Sequence, residues 1–513
     1  MKPVQRWIFL GMLFVMVVFF LSWYMTMWRS IPVVNEEEET AKRFFGSLDV
    51  SPGRVSVTMG HTEHEETTES VRTPDTSKVT SETTASPTTA KTPATVKTLA
   101  PPSGHGWDSG SFCDTFLHRT FQEIVPVCMA KGTKHSSITC RRTPLSTRMA
   151  ECSISDVLIR PQKLYSAMTS DHIQNSNAIE LLDSDETECS SPDTSKLHRT
   201  TEAGDHVRLM VEESLKQSLH VKRSDCKRWV NETTIMFQGN NVHIYFEVLV
   251  WYNTFKVIMD QGMQEPYKVM RVAAHDFQYL FSDYEKLLFP GIEFVHDIPE
   301  ETVCFKKLIL PPGCFASLLF RCKMEADVRG KCFNCNGKDR PSTAINIFRL
   351  QAVKACSLDD STYDSGYRNP QKIVVILRKQ YKRHPADKPE NFRRSLANGQ
   401  QLIEELGKIV PNVASFHGED LTMCEQIKLV HSADIFIGVH GAGLVHAWWL
   451  RDSALLFELV PSDQLGNPTF HMLTTLAGRN YKGYRLNLMG SASITVDIKD
   501  IINTLTNIIH NGL

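Results

Sequence analysis

The sequence is short of net charge: 56 Lys and Arg are offset by 58 Asp and Glu, a formal −2 over 513 residues. That balance gives no reason to expect a polyanion partner, and no nucleic-acid partner is expected. Zinc-ligand spacing is missing too. The 19 His residues are scattered without an HExxH, and Cys332 and Cys335 form a CxxC with no second pair to complete a metal site. A disulfide-stapled loop is the better reading of that pair. Cysteine is absent before Cys113, and all 13 lie between Cys113 and Cys424. Such placement fits an oxidising compartment, and the odd count leaves at least one thiol unpaired or paired between chains. Residues 31–105 lack a core-forming pattern, and the stretch Thr67 to Pro102 is dense in Thr, Ser and Pro. It reads as an extended, O-glycosylated stalk.

What is there begins with Trp7 to Trp28, an apolar run long enough to cross a hydrocarbon core of ~30 Å. Trp7 stands at one end and Trp23, Tyr24 and Trp28 at the other, as interface anchors do. Lys2 and Arg6 precede the run and favour a cytosolic N-terminus. No A-x-A-like cleavage site follows it, so a signal anchor is expected rather than a cleaved leader. The expected order is a cytosolic tail (1–6), a transmembrane anchor (7–28) and a stalk (29–105). The sequon Asn231-Glu232-Thr233 marks Asn231 as an N-glycosylation site and agrees with a lumenal body.

Hydrophobic residues make up 42% of the chain, enough for a sizeable core, and the length allows about three units. Residues 106–369 form the first globular domain; Phe305 to Cys314 reads there as a buried strand ending in a Pro-Pro-Gly turn. From residue 370 the pattern becomes regular. Strands are expected at Ile373–Leu377, Val413–Phe416, Asp434–Val439 and Leu455–Val460. Helices are expected at Asn398–Ile409, Leu421–Ala433, Gly441–Leu450 and Phe470–Ala477. Alternation of this kind argues for a parallel, Rossmann-like sheet over 370–490. An amphipathic helix from Ile494 to Ile509 closes the chain in 491–513.

The chemistry-bearing residues fall on this frame. His440-Gly441-Ala442-Gly443-Leu444 lies between a strand and a helix, where free N–H groups and the positive end of a helix dipole suit a diphosphate. The same letters also suit a tight strand–helix junction that needs only small residues. Glu458, at the end of a strand, faces the ligand crevice and suits ribose hydroxyls, unless it is merely a solvated strand end. Arg378 ends the first strand, where its guanidinium can clamp phosphate. In the other half, His243 and Glu247 are spaced i, i+4 and share a helix face. A partly buried Glu beside a His suits a general base on a sugar hydroxyl; a surface ion pair would show the same spacing.

Residues 434–461, DIFIGVHGAGLVHAWWLRDSALLFELVP, resemble the signature of glycosyltransferase family 61. The upstream EQIKLVHSADIFIGV and the C-x-x-W followed by N-x-x-H-x-x-x-E are similar to it as well. The resemblance implies an α/β fold of the GT-B class, with two Rossmann-like halves behind the anchor and stalk. It implies a donor site in the C-terminal half, at Arg378, His440, Gly441, Ala442, Gly443 and Glu458. His243 and Glu247 match the family's N-terminal motif; that they are catalytic, with Glu247 as the base, is an inference from their chemistry and is expected here on that ground. The resemblance implies inverting transfer from a UDP-sugar without a metal or other cofactor; Asp183-Ser184-Asp185 lies in a Ser-rich acidic stretch and is not a metal motif. Val445-His446-Ala447-Trp448-Trp449 departs from the family's commoner T-[NH]-x-x-F and points to a sugar pocket reshaped by the two Trp.

Within the family the stalked, type II layout is closest to the plant-type core β-1,2-xylosyltransferases. The chain ends Asn511-Gly512-Leu513 without an ER-retrieval tetrapeptide. The expectation is a single-pass Golgi membrane enzyme using UDP-xylose or UDP-GlcNAc on glycoprotein acceptors, most simply xylose β-1,2 to the N-glycan core. O-GlcNAc or N-acetylglucosaminyl transfer to lumenal glycoproteins is the alternative, and a catalytically silent lectin-like protein on the same fold is the reading from outside enzymes.

Overall fold

The computed structural model describes residues 123–128, 138–143, 146–167, 178–182, 207, 210–211, 220–239, 243–262, 266–272, 281–313, 343–359, 366–379, 394–487 and 493–513. The anchor at 7–28, the stalk, Cys332, Cys335 and Asp183-Ser184-Asp185 lie outside the described residues. Among the described residues no helix is long and apolar enough to cross a membrane.

Two sheets organise the described part. The C-terminal sheet is built from β11 (Lys372–Leu377), β13 (Asn412–His417), β14 (Ile435–Val439), β15 (Leu455–Val460) and β16 (Asn480–Arg485). All its pairings are parallel, in the order β13-β11-β14-β15-β16. The central strands β11, β14 and β15 are apolar on both sides because helices cover both faces. Ile373, Val375, Ile435, Ile437, Phe457 and Leu459 meet Leu402 and Leu406 of α5 (Gly399–Leu406) and Ile501, Leu505 and Ile508 of α8 (Ile498–Asn511). The alternate residues Val374, Ile376, Phe436 and Leu456 join the opposite core with α6 (Met423–His431) and α7 (Thr469–Leu476).

Local sequence sets the ends of these helices. Thr422 and Glu425 close a full capping box on α6, which satisfies two of its orphan N–H groups. Asp497 caps α8 through the N–H of Asp500. The closing helix therefore starts later than the pattern suggests, and the preceding Ser493–Ile494 forms a short strand, β17, paired with β12 (Ser395–Leu396).

The N-terminal sheet is mixed. Strands β1 (Glu123–Cys128), β2 (Ile138–Thr143), β3 (Ser146–Ile159) and β10 (Val303–Leu310) pair antiparallel. After β3 come the short helix α1 (Pro161–Ala167) and β4 (Ile179–Leu182), which pairs back on β3 and carries β5 (His220–Val221). On the other side of β10 come β7 (Thr233–Gln238), β8 (Tyr267–Val272) and β9 (Glu293–Phe294), all parallel. β6 (Arg228–Val230) also runs parallel to β10. The crossovers from β7 to β8 and from β8 to β9 are α2 (Ile244–Asp260) and α3 (Ser282–Leu288). Only this β7–α2–β8–α3–β9 portion has the alternating, parallel layout expected of the whole half. The antiparallel extension lies in the segment whose periodicity is weak in the sequence.

One core joins the two sheets. It runs from α2 through α4 (Thr343–Ala355) to the turn after β14. Tyr252 of α2 packs edge-on to Phe348 and Trp448, with ring centroids 5.7 and 5.5 Å apart. Trp448 and Trp449 are both fully buried; their indole N–H groups donate to the Leu473 carbonyl and to Nδ1 of His446. The two Trp therefore do not shape a sugar pocket, because they are the keystones of the inter-sheet core. The Cys356–Cys424 disulfide ties α4 to α6, and Cys226–Cys304 ties the chain before β6 to β10.

Candidate functional site

The order of the C-terminal sheet, numbered from its own first strand, is 2-1-3-4-5. The strand order reverses between β11 and β14, and in sheets of this kind ligands bind beyond the C-terminal ends of the two strands at that point. Arg378 follows β11 there, and His440 follows β14. Register sets them side by side, since Ile376 faces Gly438 across the pair. A Cβ on Gly441 would lie 2.6 Å from Nη2 of Arg378, so only glycine lets the backbone of this turn approach the guanidinium. Gly443 serves packing instead. A Cβ there would meet Cδ1 of Ile376 at 2.6 Å, so its bareness seats the following helix on β11.

That helix, Ala442–Trp449, is 3-10 rather than α. With three residues per turn, His446 and Trp449 eclipse and bond to each other, and Val445 lines up with Trp448. Close winding brings all these bulky side chains into the core. Its open N-terminus presents backbone N–H groups beside Arg378, an anion-binding arrangement. His446 lies deep in the core, and burial pushes its imidazole down to about 3.

His440 is buried, and both of its ring nitrogens are engaged. Nδ1 lies 2.5 Å from Oε1 of Glu458, and Nε2 lies 3.2 Å from the Asn467 amide. The backbone N–H of His440 donates to the Leu459 carbonyl, and its own carbonyl accepts from Arg394 at 2.8 Å. Arg394 reaches it from a backbone at φ +79°, a conformation non-glycine residues seldom hold. Glu458 is 1% exposed. Its second oxygen accepts from the Tyr481 hydroxyl at 2.7 Å. Burial, then the charge of Glu458 and the hydrogen bond to it, raise the Tyr481 phenol. His471 stacks on Tyr481 at 4.3 Å, and burial lowers its imidazole.

The sequence-predicted residues of the C-terminal half thus come together at one point. Arg394, Asn467 and Tyr481 belong to the same site, and the sequence pattern does not single them out. Asn467 and Tyr481 stand in polar, unpatterned stretches and carry no signal; Arg394 stands out only as part of a basic, family-like stretch.

His243 and Glu247 do not share one helical face. His243 is the cap residue ahead of α2, half-buried, its ring 4.5 Å from that of Phe246. Glu247 lies inside the first turn and is fully buried. Both its oxygens meet the Arg271 guanidinium at 3.1 Å. Arg271, also fully buried, bonds in addition to Glu285, which accepts from the Trp251 indole at 2.5 Å. A Cβ on Gly239 would sit 2.2 Å from Arg271, so that glycine too is a packing requirement. Rings link His243 to the His440 cluster: His243 meets Tyr245 edge-on, Tyr245 meets Phe470 at 6.0 Å, and Phe470 meets His440 at 5.0 Å. Asn231 is exposed in the break between β6 and β7.

The sheet is parallel and doubly wound, with a guanidinium and a buried His at its switch point, the place where α/β proteins of the nucleotide-binding class hold their ligands. Residues 241–456 match the model of the Glycosyltransferase 61 family. The chain is 24% identical over 302 residues to a β-1,2-xylosyltransferase of Oryza sativa subsp. japonica, covering 55% of this chain and 54% of that protein. It is 22% identical over 311 residues to the β-1,2-xylosyltransferase of Arabidopsis thaliana, covering 56% and 57%. A shorter stretch of 69 residues is 38% identical to the EGF domain-specific O-linked N-acetylglucosamine transferase of Gallus gallus, 13% of either chain. The aligned part spans about half the length of the xylosyltransferases.

Proposed function

We propose that the protein is an inverting glycosyltransferase of the GT-B class, transferring a sugar from a UDP donor to glycoprotein glycans. One observation carries this reading: Arg378 and the His440–Gly443 turn meet at the switch point of a parallel sheet, as a diphosphate clamp requires. The donor diphosphate sits between the Arg378 guanidinium, the N-terminus of the 3-10 helix and the His440 imidazole, whose Nε2 exchanges its Asn467 contact for a phosphate oxygen. These groups neutralise charge on the departing UDP, so the transfer needs no metal. Glu458 holds His440 in place instead of holding ribose.

An inverting transfer also needs a group that takes the acceptor hydroxyl proton from the opposite side of the anomeric carbon. Of the His243–Glu247 pair, His243 fills that role. It is half-exposed and stands at the donor-facing end of α2, whereas both Glu247 oxygens are committed to Arg271. The relatives favour xylose as the donor sugar, β-1,2 to the N-glycan core, with N-acetylglucosamine as the second choice. The sequence favours a type II Golgi membrane protein with this domain in the lumen. The test is a screen of UDP-xylose against UDP-GlcNAc, with N-glycan and EGF-peptide acceptors, on the full chain. Transfer from one of them with inversion supports the reading. Failure to bind UDP or to turn over any UDP-sugar would leave the lectin-like alternative.

A further inference from the structure

Trp229 is 37% exposed, and among the described residues it is the one aromatic side chain among the large exposed hydrophobics. Its position is not a matter of looseness. β6 pairs with β10, placing Trp229 opposite Cys304, and the Cys226–Cys304 disulfide pins the chain three residues upstream. The Arg223 guanidinium lies over the indole, 5.4 Å from its centroid, and is itself tied to Asp156 at 3.1 Å. A fixed indole thus faces solvent, at a cost in apolar exposure that a covering group would recover.

Asn231 follows two residues later. Along β6 and just past it the side chains alternate: Trp229 exposed, Val230 buried, Asn231 exposed. Residues i and i+2 of an extended strand share one face and stand about 7 Å apart. Thr233 completes the sequon at the first position of β7. A pyranose attached to the Asn231 amide would begin beside the indole. Its axial C–H bonds carry partial positive charge and suit the negative face of an aromatic ring.

We propose that Asn231 is N-glycosylated and that the first N-acetylglucosamine of its glycan packs on Trp229, making a sugar part of this protein's own surface. The transfer joins Nδ2 of Asn231 to C1 of the sugar of a lipid-diphosphate-linked oligosaccharide. The C1–O bond to the diphosphate breaks, the lipid diphosphate leaves, and the amide gives up one proton to the transferring enzyme. The inference rests on the lumenal placement proposed above, and not on the sugar-transfer chemistry of the chain itself.

The test is a double-mutant cycle on the full chain made in a eukaryotic secretory host. Peptide mapping locates the glycan, and protease protection in sealed microsomes reports the compartment. Unfolding midpoints are then compared before and after enzymatic deglycosylation, in wild type and in Trp229→Ala. Wild type should carry the glycan at Asn231 and lose about 2 °C on its removal. Trp229→Ala should keep the glycan and lose little or nothing when it is removed. An equal loss in both proteins overturns the stacking. A bare Asn231 on a protease-protected chain overturns the inference while leaving the compartment standing; a bare Asn231 on a protease-accessible chain overturns both.

Discussion

If Glu458 acts through His440, replacing it with Gln should weaken donor binding while leaving the fold in place. The carboxylate accepts from His440 on one oxygen and from Tyr481 on the other. A Gln fits the same volume and can still meet both partners: its carbonyl accepts from His440 and its amide donates to the phenol oxygen. What is lost is the negative charge behind the imidazole. Hydrogen bonds to a charged partner contribute about 1.5–3 kcal/mol, against about 1 kcal/mol for neutral ones. The difference, about 0.5–2 kcal/mol, corresponds at most to a roughly two- to thirty-fold weaker affinity for UDP. Tyr481→Phe is the control. It removes the partner of the other oxygen and should cost stability, yet change UDP affinity less than about three-fold, because the His440 contact stays. Calorimetric titration with UDP, on protein whose unfolding midpoint is also measured, reads both quantities. An unchanged dissociation constant in a folded Glu458→Gln protein refutes the argument, and so does an equal loss in Tyr481→Phe.

Further outcomes follow from the same structure. Gly441→Ala should displace the Arg378 guanidinium, because the new Cβ would lie 2.6 Å from it; UDP affinity measured by calorimetry should fall at least as far as in Arg378→Ala, where a charge-assisted contact of ~1.5–3 kcal/mol is removed. Arg271→Met leaves Glu247 and Glu285 buried without their cation and should cost about 3–5 kcal/mol in denaturant unfolding. Glu247→Gln should cost less, because Arg271 keeps Glu285. The His446 imidazole is depressed in the folded state from 6.5 to about 3, so its stabilising contribution is complete above pH 6.5 and is lost as pH falls toward 3. By pH 5 this should amount to about 2 kcal/mol, and His446→Gln should flatten that slope of stability against pH.

The C-terminal sheet is legible because burial on both faces writes itself as unbroken apolar strands. IVVIL, IFIGV and LLFELV have no other plausible use, and the polar turns between them locate the helices. β16 escapes for the opposite reason. It is an edge strand with the sequence NYKGYR and no fully buried residue, so no hydrophobic period marks it. Tyr481 is lost with it. The 3-10 winding after Gly441 is equally invisible, since Leu444, Val445, Trp448 and Trp449 suit a buried helix of either pitch. Only the packing of Gly443 on Ile376 and the His446–Trp449 bond select the tighter one. The mixed N-terminal sheet is hidden because its antiparallel strands come from a region whose periodicity is weak.

The spacing of His243 and Glu247 shows where pattern alone misleads. An i, i+4 pair is read as one polar face of an amphipathic helix, but α2 has no such face: 14 of its 17 residues are buried. A carboxylate in that helix must find a cation inside the protein, and the cation is Arg271, 24 residues away on the neighbouring strand β8. Nothing local announces such a partner. Once Glu247 is committed in this way, proton transfer needs a group that both meets solvent and stands toward the donor site. His243 satisfies both conditions because the helix begins one residue after it. The residue just outside the helix, rather than the acid within it, is therefore the one from which acceptor activation should be sought, and His243→Gln should abolish turnover while sparing UDP affinity. Steady-state rates and UDP titrations on the same preparation decide it: near-full turnover would remove His243 from the mechanism, and a parallel loss of UDP binding would make it part of the donor site instead.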